Sequence, residues 1–206
     1  MKSKLTVLVI NEKNEHEKGP EHTLYVPLRE QGYVILEALN SIKYLADKAK
    51  ELQPDLVVLN LVSPNKADVE SITLMRQYYS CPIVLFAEQG NTLMIKEAIH
   101  TGVSACVING LESHRIKNIV DAAVAHFEES QILRLALEQS RAELADRKLI
   151  EKSKGLIMKH NHCAEEQAFK AMRKMAMDQQ KPLNEVAKNI IAVLERHSNN
   201  MSNSHL

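Results

Sequence analysis

The sequence predicts an α/β fold, a doubly wound five-stranded parallel sheet, followed by a long coiled-coil helix and an all-α domain of three helices. Two observations carry this prediction. Five short apolar runs alternate with helical segments between Lys4 and about Leu111, and beyond Ser113 the chain continues without Gly or Pro until Gly155. Alternating strands and helices are typical of a parallel sheet covered on both faces. An unbroken helical period indicates a long helix.

The predicted strands are continuous runs of apolar side chains, which indicates burial on both faces of the sheet. They are Leu5–Ile10, Val34–Leu36, Leu56–Leu59, Ile83–Phe86 and Ala105–Ile108.

Helical periods separate most of these strands. They cover Ser41–Leu52, Val69–Tyr78 and Leu93–His100. The first connection is different, because Glu12–His22 is charged and contains Gly and Pro, and Pro27 interrupts the next apolar residues. We therefore expect a loop there and a short first helix.

Three strand ends, VLVIN, PDLVVLN and PIVLFAE, resemble the receiver domain of bacterial response regulators, a flavodoxin-like fold. In that family an Asp after the third strand accepts the phosphoryl group, and an acidic pair after the first strand holds Mg²⁺. A Thr or Ser after the fourth strand and a Lys after the fifth strand orient the phosphoryl group. The resemblance places these roles at Asn60, at Asn11 and Glu12, at Ala87 and at Asn109.

The residues at these positions cannot supply that chemistry. An amide is a poor nucleophile, so Asn60 cannot form an acyl phosphate. Without carboxylates at positions 60 and 11, Glu12 alone makes a weak site for a hard dication that requires anionic oxygens. We therefore predict a pseudo-receiver that uses no cofactor and serves as a binding and dimerisation surface, because the apolar strands preserve the fold without the acidic cluster.

One helix is predicted from Ser113 to Lys159, and its middle part has a coiled-coil spacing. Leu133, Leu137, Ser140 and Leu144 follow a 4-3-4 rhythm. This spacing predicts a short parallel coiled coil, hence a homodimer whose seam holds Leu133, Leu137 and Leu144. A solvated connector helix remains an alternative, because the seam includes Ser140 and lasts only two or three heptads.

The C-terminal stretch is predicted to form three helices with one apolar face each, which can bury only a small core. The first helix ends at the polar break His160–His162. The second runs from Ala164 to Met177 and ends before Pro182, which suits the first turn of the third. Its apolar face consists of Ala168, Phe169, Met172, Met175 and Ala176. The third helix contributes Leu183, Val186, Ala187, Ile190, Ile191 and Leu194.

This stretch resembles the ANTAR domain, the RNA-binding module of transcription antitermination regulators of the amide and nitrate type. The resemblance implies binding to hairpin loops in nascent mRNA that compete with a terminator. The matching positions are Arg147, Ile150, Lys154-Gly155-Leu156, Met158, Ala168-Phe169, Met172-Arg173, Ala176, Leu183, Val186-Ala187 and Ile190.

Charge divides the neutral chain into an acidic and a basic part. Between Arg147 and His197 there are 11 Lys and Arg against 6 Asp and Glu, a local charge of +5. The whole chain has 26 of each, so the remainder carries 15 against 20, or −5. A basic segment favours an anionic partner, although a solvated basic face explains the composition equally well. The candidate RNA-binding residues are Arg147, Lys154, Lys159, Lys170, Arg173 and Lys174.

The predicted organisation is a pseudo-receiver over residues 1–112, a helical linker over 113–146, the RNA-binding domain over 147–197 and a disordered tail over 198–206. Cys81, Cys106 and Cys163 are widely spaced and suggest no metal site. No stretch approaches the roughly 18 apolar residues of a membrane span, so we expect no membrane contact and a cytoplasmic protein.

These features favour an RNA-binding antiterminator that a sequestering sensor protein controls, because phosphorylation is closed off at Asn60. A DNA-binding response regulator is the main alternative, but the third C-terminal helix offers only Lys188 and Arg196 for a major groove. A signalling adapter that acts only through protein contacts is a further alternative. An enzyme is not expected, because no phosphate loop or nucleophile elbow is present.

Overall fold

The computed structural model describes residues 4–12, 24–90, 92–109 and 112–202. The chain divides into two compact units, Met1–Ile132 and Leu133–Leu206. The first contains a sheet with flanking helices, and the second contains only helices.

The described residues of the first unit form a five-stranded parallel sheet in the order β2-β1-β3-β4-β5. This is the order of flavodoxin-like folds, so the predicted fold class is confirmed. Each predicted strand is present, with ends that differ from the prediction by at most three residues. The strands are β1 (Thr6–Asn11), β2 (Val34–Leu39), β3 (Leu56–Leu61), β4 (Ile83–Ala87) and β5 (Ala105–Ile108).

Helices connect the strands and bury a core on each face of the sheet. One core contains Leu8, Leu59 and Met75, and the other contains Val9, Phe86 and Val120. Because both faces are covered, the central strands consist of continuous apolar runs. The helices are α1 (Tyr25–Glu30), α2 (Leu45–Leu52, after a 3₁₀ turn over Ile42–Tyr44), α3 (Lys66–Tyr78) and α4 (Thr92–Thr101).

Two details of the first unit differ from the sequence prediction or lie beyond it. Strand β2 continues past Leu36 to Leu39 because it is an edge strand, where Glu37 reaches Lys48 at 3.0 Å instead of entering a core. The predicted short first helix is present as α1. The loop expected over Glu12–His22 falls mostly on residues 13–23, which lie outside the described residues.

Helix α5 (Ile116–Asn161) follows a 3₁₀ turn over Ser113–Arg115, and its residues belong to both units. The predicted long helix is therefore present. Its first turns pack Ile116, Val120 and Ala123 on the sheet. It ends where His162 adopts a left-handed conformation with φ of 50°, within the predicted polar break.

The second unit packs the end of α5 against two further helices, α6 (Glu165–Gln179) and α7 (Leu183–Ser202). Its fully buried centre is small, as the sequence indicates. That centre contains Ile157, Ala168, Met172 and Ala187. A hydrogen bond of 2.8 Å from Asn184 Nδ2 to Asp146 Oδ2 and an ion pair of 2.7 Å between Lys152 and Glu195 fasten α7 to α5.

Helix α7 extends to Ser202, so residues 198–202 are helical where the sequence suggested a disordered tail. Nothing in that polar segment breaks a helix, because it contains neither Gly nor Pro. Among the described helices, none has the length and apolar character required to cross a bilayer.

Candidate functional site

Two residues of the predicted phospho-acceptor pocket face each other at the carboxyl ends of two adjacent strands. Asn11 at the end of β1 is in register with Asn60 near the end of β3. The Asn60 Nδ2 donates a hydrogen bond of 2.7 Å to the Asn11 Oδ1. Asn11 is only 2% exposed. The two amides therefore bind each other in a partly buried position, and neither presents a carboxylate nucleophile.

Glu12 supplies the only carboxylate of the predicted acidic pair. Its backbone N–H donates to the Asn60 carbonyl at 2.9 Å, and its Oε1 accepts a long bond of 3.5 Å from the Ile42 N–H. Burial raises the pKa of Glu12; the Ile42 N–H opposes this effect and the nearby Asp68 reinforces it. A carboxylate whose charged form is disfavoured in this way is a poor start for a dication site.

This donor set does not fit Mg²⁺. The Asn11 oxygen already accepts a bond from Asn60, and the Asn11 Nδ2, a donor, is buried without an acceptor among the described residues. Magnesium requires several oxygen ligands in octahedral geometry. No group of three or more potential metal-binding side chains occurs in the described parts of the chain.

The two remaining receiver positions lie at the carboxyl ends of β4 and β5. Ala87 ends β4 and is buried, and its carbonyl accepts a hydrogen bond of 2.9 Å from the Asn109 N–H. Asn109 is exposed and left-handed, with φ of 52°. The strand ends thus bring all five predicted positions to one edge of the sheet, without the hydroxyl and the ammonium group that phosphoryl transfer would use there.

The second candidate site is a basic face of α6. Lys170, Arg173 and Lys174 are exposed, and none of them forms an ion pair with a carboxylate in the described part of the chain. A groove of about 620 Å³ runs along this face. The described residues that line it all belong to α6: Glu166, Phe169, Lys170, Arg173, Lys174, Met177 and Asp178. This face can attract an anionic polymer.

Lys154, also predicted to bind RNA, has a different environment. Its side chain is 11% exposed, and its ammonium group contacts Glu151 at 2.7 Å and Glu165 at 2.6 Å. Hydrogen bonds to these two carboxylates raise the pKa of Lys154. The positive charge of Lys154 is therefore neutralised within the protein. Its ion pair with Glu165 connects the end of α5 to the start of α6.

The other predicted residues lie on α5. Arg147 and Lys159 are exposed, on either side of the segment that packs on the other helices. The seam residues Leu133, Leu137 and Leu144 are 64%, 52% and 55% exposed. Three large apolar side chains at coiled-coil spacing thus remain uncovered within the described chain.

The position of Phe169 differs from the one predicted from the sequence. Predicted to lie with the apolar face, Phe169 is 36% exposed and borders the groove, whereas Ala168 and Met172 are fully buried. Met177, also in the groove, is 75% exposed. The signal available in the sequence was the spacing: Phe169, Arg173 and Met177 are four residues apart and so share one stripe of a helix.

Comparison with known proteins finds a family match within the second unit. The model of the ANTAR domain matches residues 138–191, which confirms the predicted resemblance. The transcriptional regulatory protein PdtaR of Mycobacterium tuberculosis (strain ATCC 25618 / H37Rv) is 25% identical over 167 residues, 81% of this chain and 82% of that protein. The nitrate regulatory protein of Klebsiella oxytoca is 42% identical over 65 residues, 32% of this chain and 16% of that protein.

A solved structure supports the fold of the first unit. The signal receiver domain of a modulated diguanylate cyclase from Desulfovibrio desulfuricans G20 superposes with a TM-score of 0.50 at 15% identity. The match covers 62% of this chain and 98% of that one. The likeness concerns the fold, and it agrees with the strand order of the sheet.

Proposed function

We propose that this chain, in which an ANTAR domain follows a receiver-like domain, is a transcription antiterminator that binds hairpin loops in nascent mRNA. The observation that carries the proposal is the exposed face of α6. Lys170, Arg173 and Lys174 lie there together and have no carboxylate partner among the described residues. Free cations on one helix face are suited to phosphate contacts.

Two further cations extend this surface. Arg147 and Lys159 are exposed on α5, and we assign them to phosphates that flank the loop. Lys154 is not included among the phosphate contacts, because Glu151 and Glu165 already neutralise it. Removing it from those partners would leave two carboxylates facing the RNA.

The protein is proposed to act as a homodimer. The exposed leucines at positions 133, 137 and 144 lie on one stripe of α5, and a second copy of the same stripe is the partner with matching spacing. A parallel pair would present two basic α6 faces, so one dimer could hold two hairpins and gain avidity from their linkage.

Control is proposed to come from a protein partner that sequesters the dimer. The paired amides of Asn11 and Asn60 provide no carboxylate for phosphorylation. The receiver-like domain then serves as a surface that a sensor protein can bind. That interaction would replace the phosphoryl group as the signal that frees or hides the basic faces.

The test is a charge reversal on α6. Lys170, Arg173 and Lys174 are changed together to Glu in the full chain, and binding is measured to a hairpin RNA and to duplex DNA of equal charge. We expect the wild type to prefer the hairpin and the variant to lose at least 100-fold in affinity. Each phosphate contact contributes about 0.7 to 0.9 to the salt slope, so the slope should fall by roughly 2 to 3.

A matched control reverses three exposed lysines of the first unit. Changing Lys66, Lys96 and Lys117 to Glu alters the net charge equally but should leave hairpin binding within about threefold. Equal losses in the two triple variants would mean that total charge decides, and equal affinity of the wild type for duplex DNA would favour a DNA-binding regulator instead.

A further inference from the structure

Phe169 is an aromatic ring at the edge of a basic groove. It contributes to the groove together with Arg173, one turn further along α6, and Met177, two turns along. Here the ring is 36% exposed, although the preceding residue Ala168 is fully buried.

The ring is also held in place. The Lys154 ammonium lies 5.8 Å from the centroid of the Phe169 ring, within the range of a cation–π contact. Glu151 and Glu165 fix that ammonium at 2.7 and 2.6 Å. Lys154 is thus a positioning residue, which holds the ring beside the groove before any partner arrives.

We propose that the groove is a stacking site for one unpaired base of the RNA loop, with Phe169 and Arg173 as the two residues on which that base packs. This rests on the proposed function. An aromatic ring and a guanidinium plane are the two groups on which unstacked RNA bases pack. Lys170 and Lys174, on the same face, are placed for the phosphates next to that base.

The charges around the groove favour a nucleotide over a protein helix as the occupant. Three cations line its centre, and Glu166 and Asp178 lie one at each end. The anionic ends confine a polyanion to the middle of the helix, opposite Phe169 and Arg173. A single loop nucleotide fits this arrangement, whereas a long paired segment would pass both carboxylates.

The test measures coupling between the ring and one base. Hairpins with a fixed stem and a randomised loop are selected on the full-length protein, and each loop nucleotide of an enriched hairpin is replaced in turn by an abasic one. We expect one position at which the abasic change weakens wild-type binding about tenfold, as base stacking implies. In Phe169→Leu that penalty should fall to about twofold or less.

Two variants keep the result interpretable. Phe169→Tyr retains the ring and should retain the penalty, and Lys170→Gln should weaken all hairpins alike while leaving the penalty unchanged. If Phe169→Leu binds the intact hairpin more weakly but keeps the full penalty at every position, the stacking proposal is wrong. If no hairpin is enriched, the proposed RNA-binding function itself is contradicted.

Discussion

The receiver-like unit and the helical unit use their polar side chains in opposite ways. At the strand ends of the first unit, Asn11 and Asn60 turn inward and bind each other at 2.7 Å. On α6 of the second unit, Lys170, Arg173 and Lys174 turn outward with no carboxylate partner among the described residues. The polar groups at the strand ends are bonded to each other, whereas the cations of α6 remain available to bind a partner.

The comparison separates what a fold requires from what its chemistry requires. The sheet keeps its buried strands, and these sustain the fold whichever residues come after them. The helical unit has a much smaller buried centre, yet its surface retains the free charges. A receiver-like fold is therefore no indication of phosphoryl transfer, whereas an open basic face remains a sign of function.

The largest expected effect concerns the proposed pairing of two copies of the chain through the helical unit. Changing Leu137 and Leu144 together to Glu should convert the dimer to a monomer, measured by sedimentation at micromolar concentration. A dimer would bury the exposed half of four such side chains, two from each copy, at about 0.8–1.5 kcal/mol each, so their loss removes roughly 3–6 kcal/mol.

The control for this change lies on the same helix. Leu135 is two residues from Leu137, hence on the opposite side of α5, and it is also exposed. Leu135→Glu should leave the dimer intact. If the double variant is still a dimer, the two copies must contact each other through the receiver-like unit. Dimerisation would then be a role of that unit and not of the helical unit.

The next effect tests the closed site. The wild type should take up no label from acetyl phosphate, and Asn60→Asp alone should restore little, because position 11 still lacks a carboxylate. The site would also lack the hydroxyl missing at Ala87 and the cation missing at Asn109. Phosphoryl transfer depends on positioning and charge neutralisation, so each absent group slows it by about 10²–10³-fold.

Restoring Asp at positions 11 and 60, Thr at 87 and Lys at 109 is expected to allow labelling. Rapid phosphorylation of Asn60→Asp by itself would show that the site is nearly intact. In that case the paired amides would be a minor change, and the contrast between the two units would disappear.

A third prediction compares two methionines of α6. Met172 is fully buried, and its sulfur accepts a hydrogen bond of 3.2 Å from the Ser153 hydroxyl, whereas Met177 is exposed. Met172→Ala should lower the unfolding free energy of the helical unit by about 2–5 kcal/mol, and Met177→Ala by less than about 0.5. Denaturant titration followed by circular dichroism measures both, and equal losses would mean that α6 packs differently.

The smallest effect is a pH dependence at the closed site. Burial raises the pKa of Glu12, so the folded chain binds this proton more tightly than the unfolded chain does. The contribution to stability is complete below the ordinary pKa of 4.5 and is lost as pH rises through the raised value. Glu12→Gln should therefore gain stability over the wild type between pH 4 and 7. A difference that does not change with pH would contradict this.

The strands were predictable because a doubly covered sheet requires continuous apolar runs, and those runs are plain in the sequence. The end of β2 was not predictable, because a charged residue interrupts its apolar run. An edge strand tolerates Glu37, which forms an ion pair with Lys48. The resemblance to receiver domains placed Asn11 and Asn60 at the ends of the first and third strands, and these strands are adjacent. Their mutual hydrogen bond was not predictable, since an amide can face several ways.

The basic face was predictable in composition but not in detail. Helical spacing put Lys170, Arg173 and Lys174 together, and the structure does so. Spacing could not show that Lys154 is neutralised, because its partner Glu165 comes from the next helix. Nor could it place Phe169, whose position at the boundary of the apolar face depends on how α6 packs on α5.

The most direct test of the account locates the RNA on the protein. A selected hairpin carrying a photoreactive base in its loop is crosslinked to the full-length protein, and the protein is cleaved after glutamate. We predict that the crosslinks fall on the peptide Gln167–Glu185, which contains most of α6, and that they disappear when Lys170, Arg173 and Lys174 are changed to Glu. Crosslinks confined to the receiver-like unit or to α7 beyond Glu185 would contradict the assignment of α6 as the RNA-binding surface.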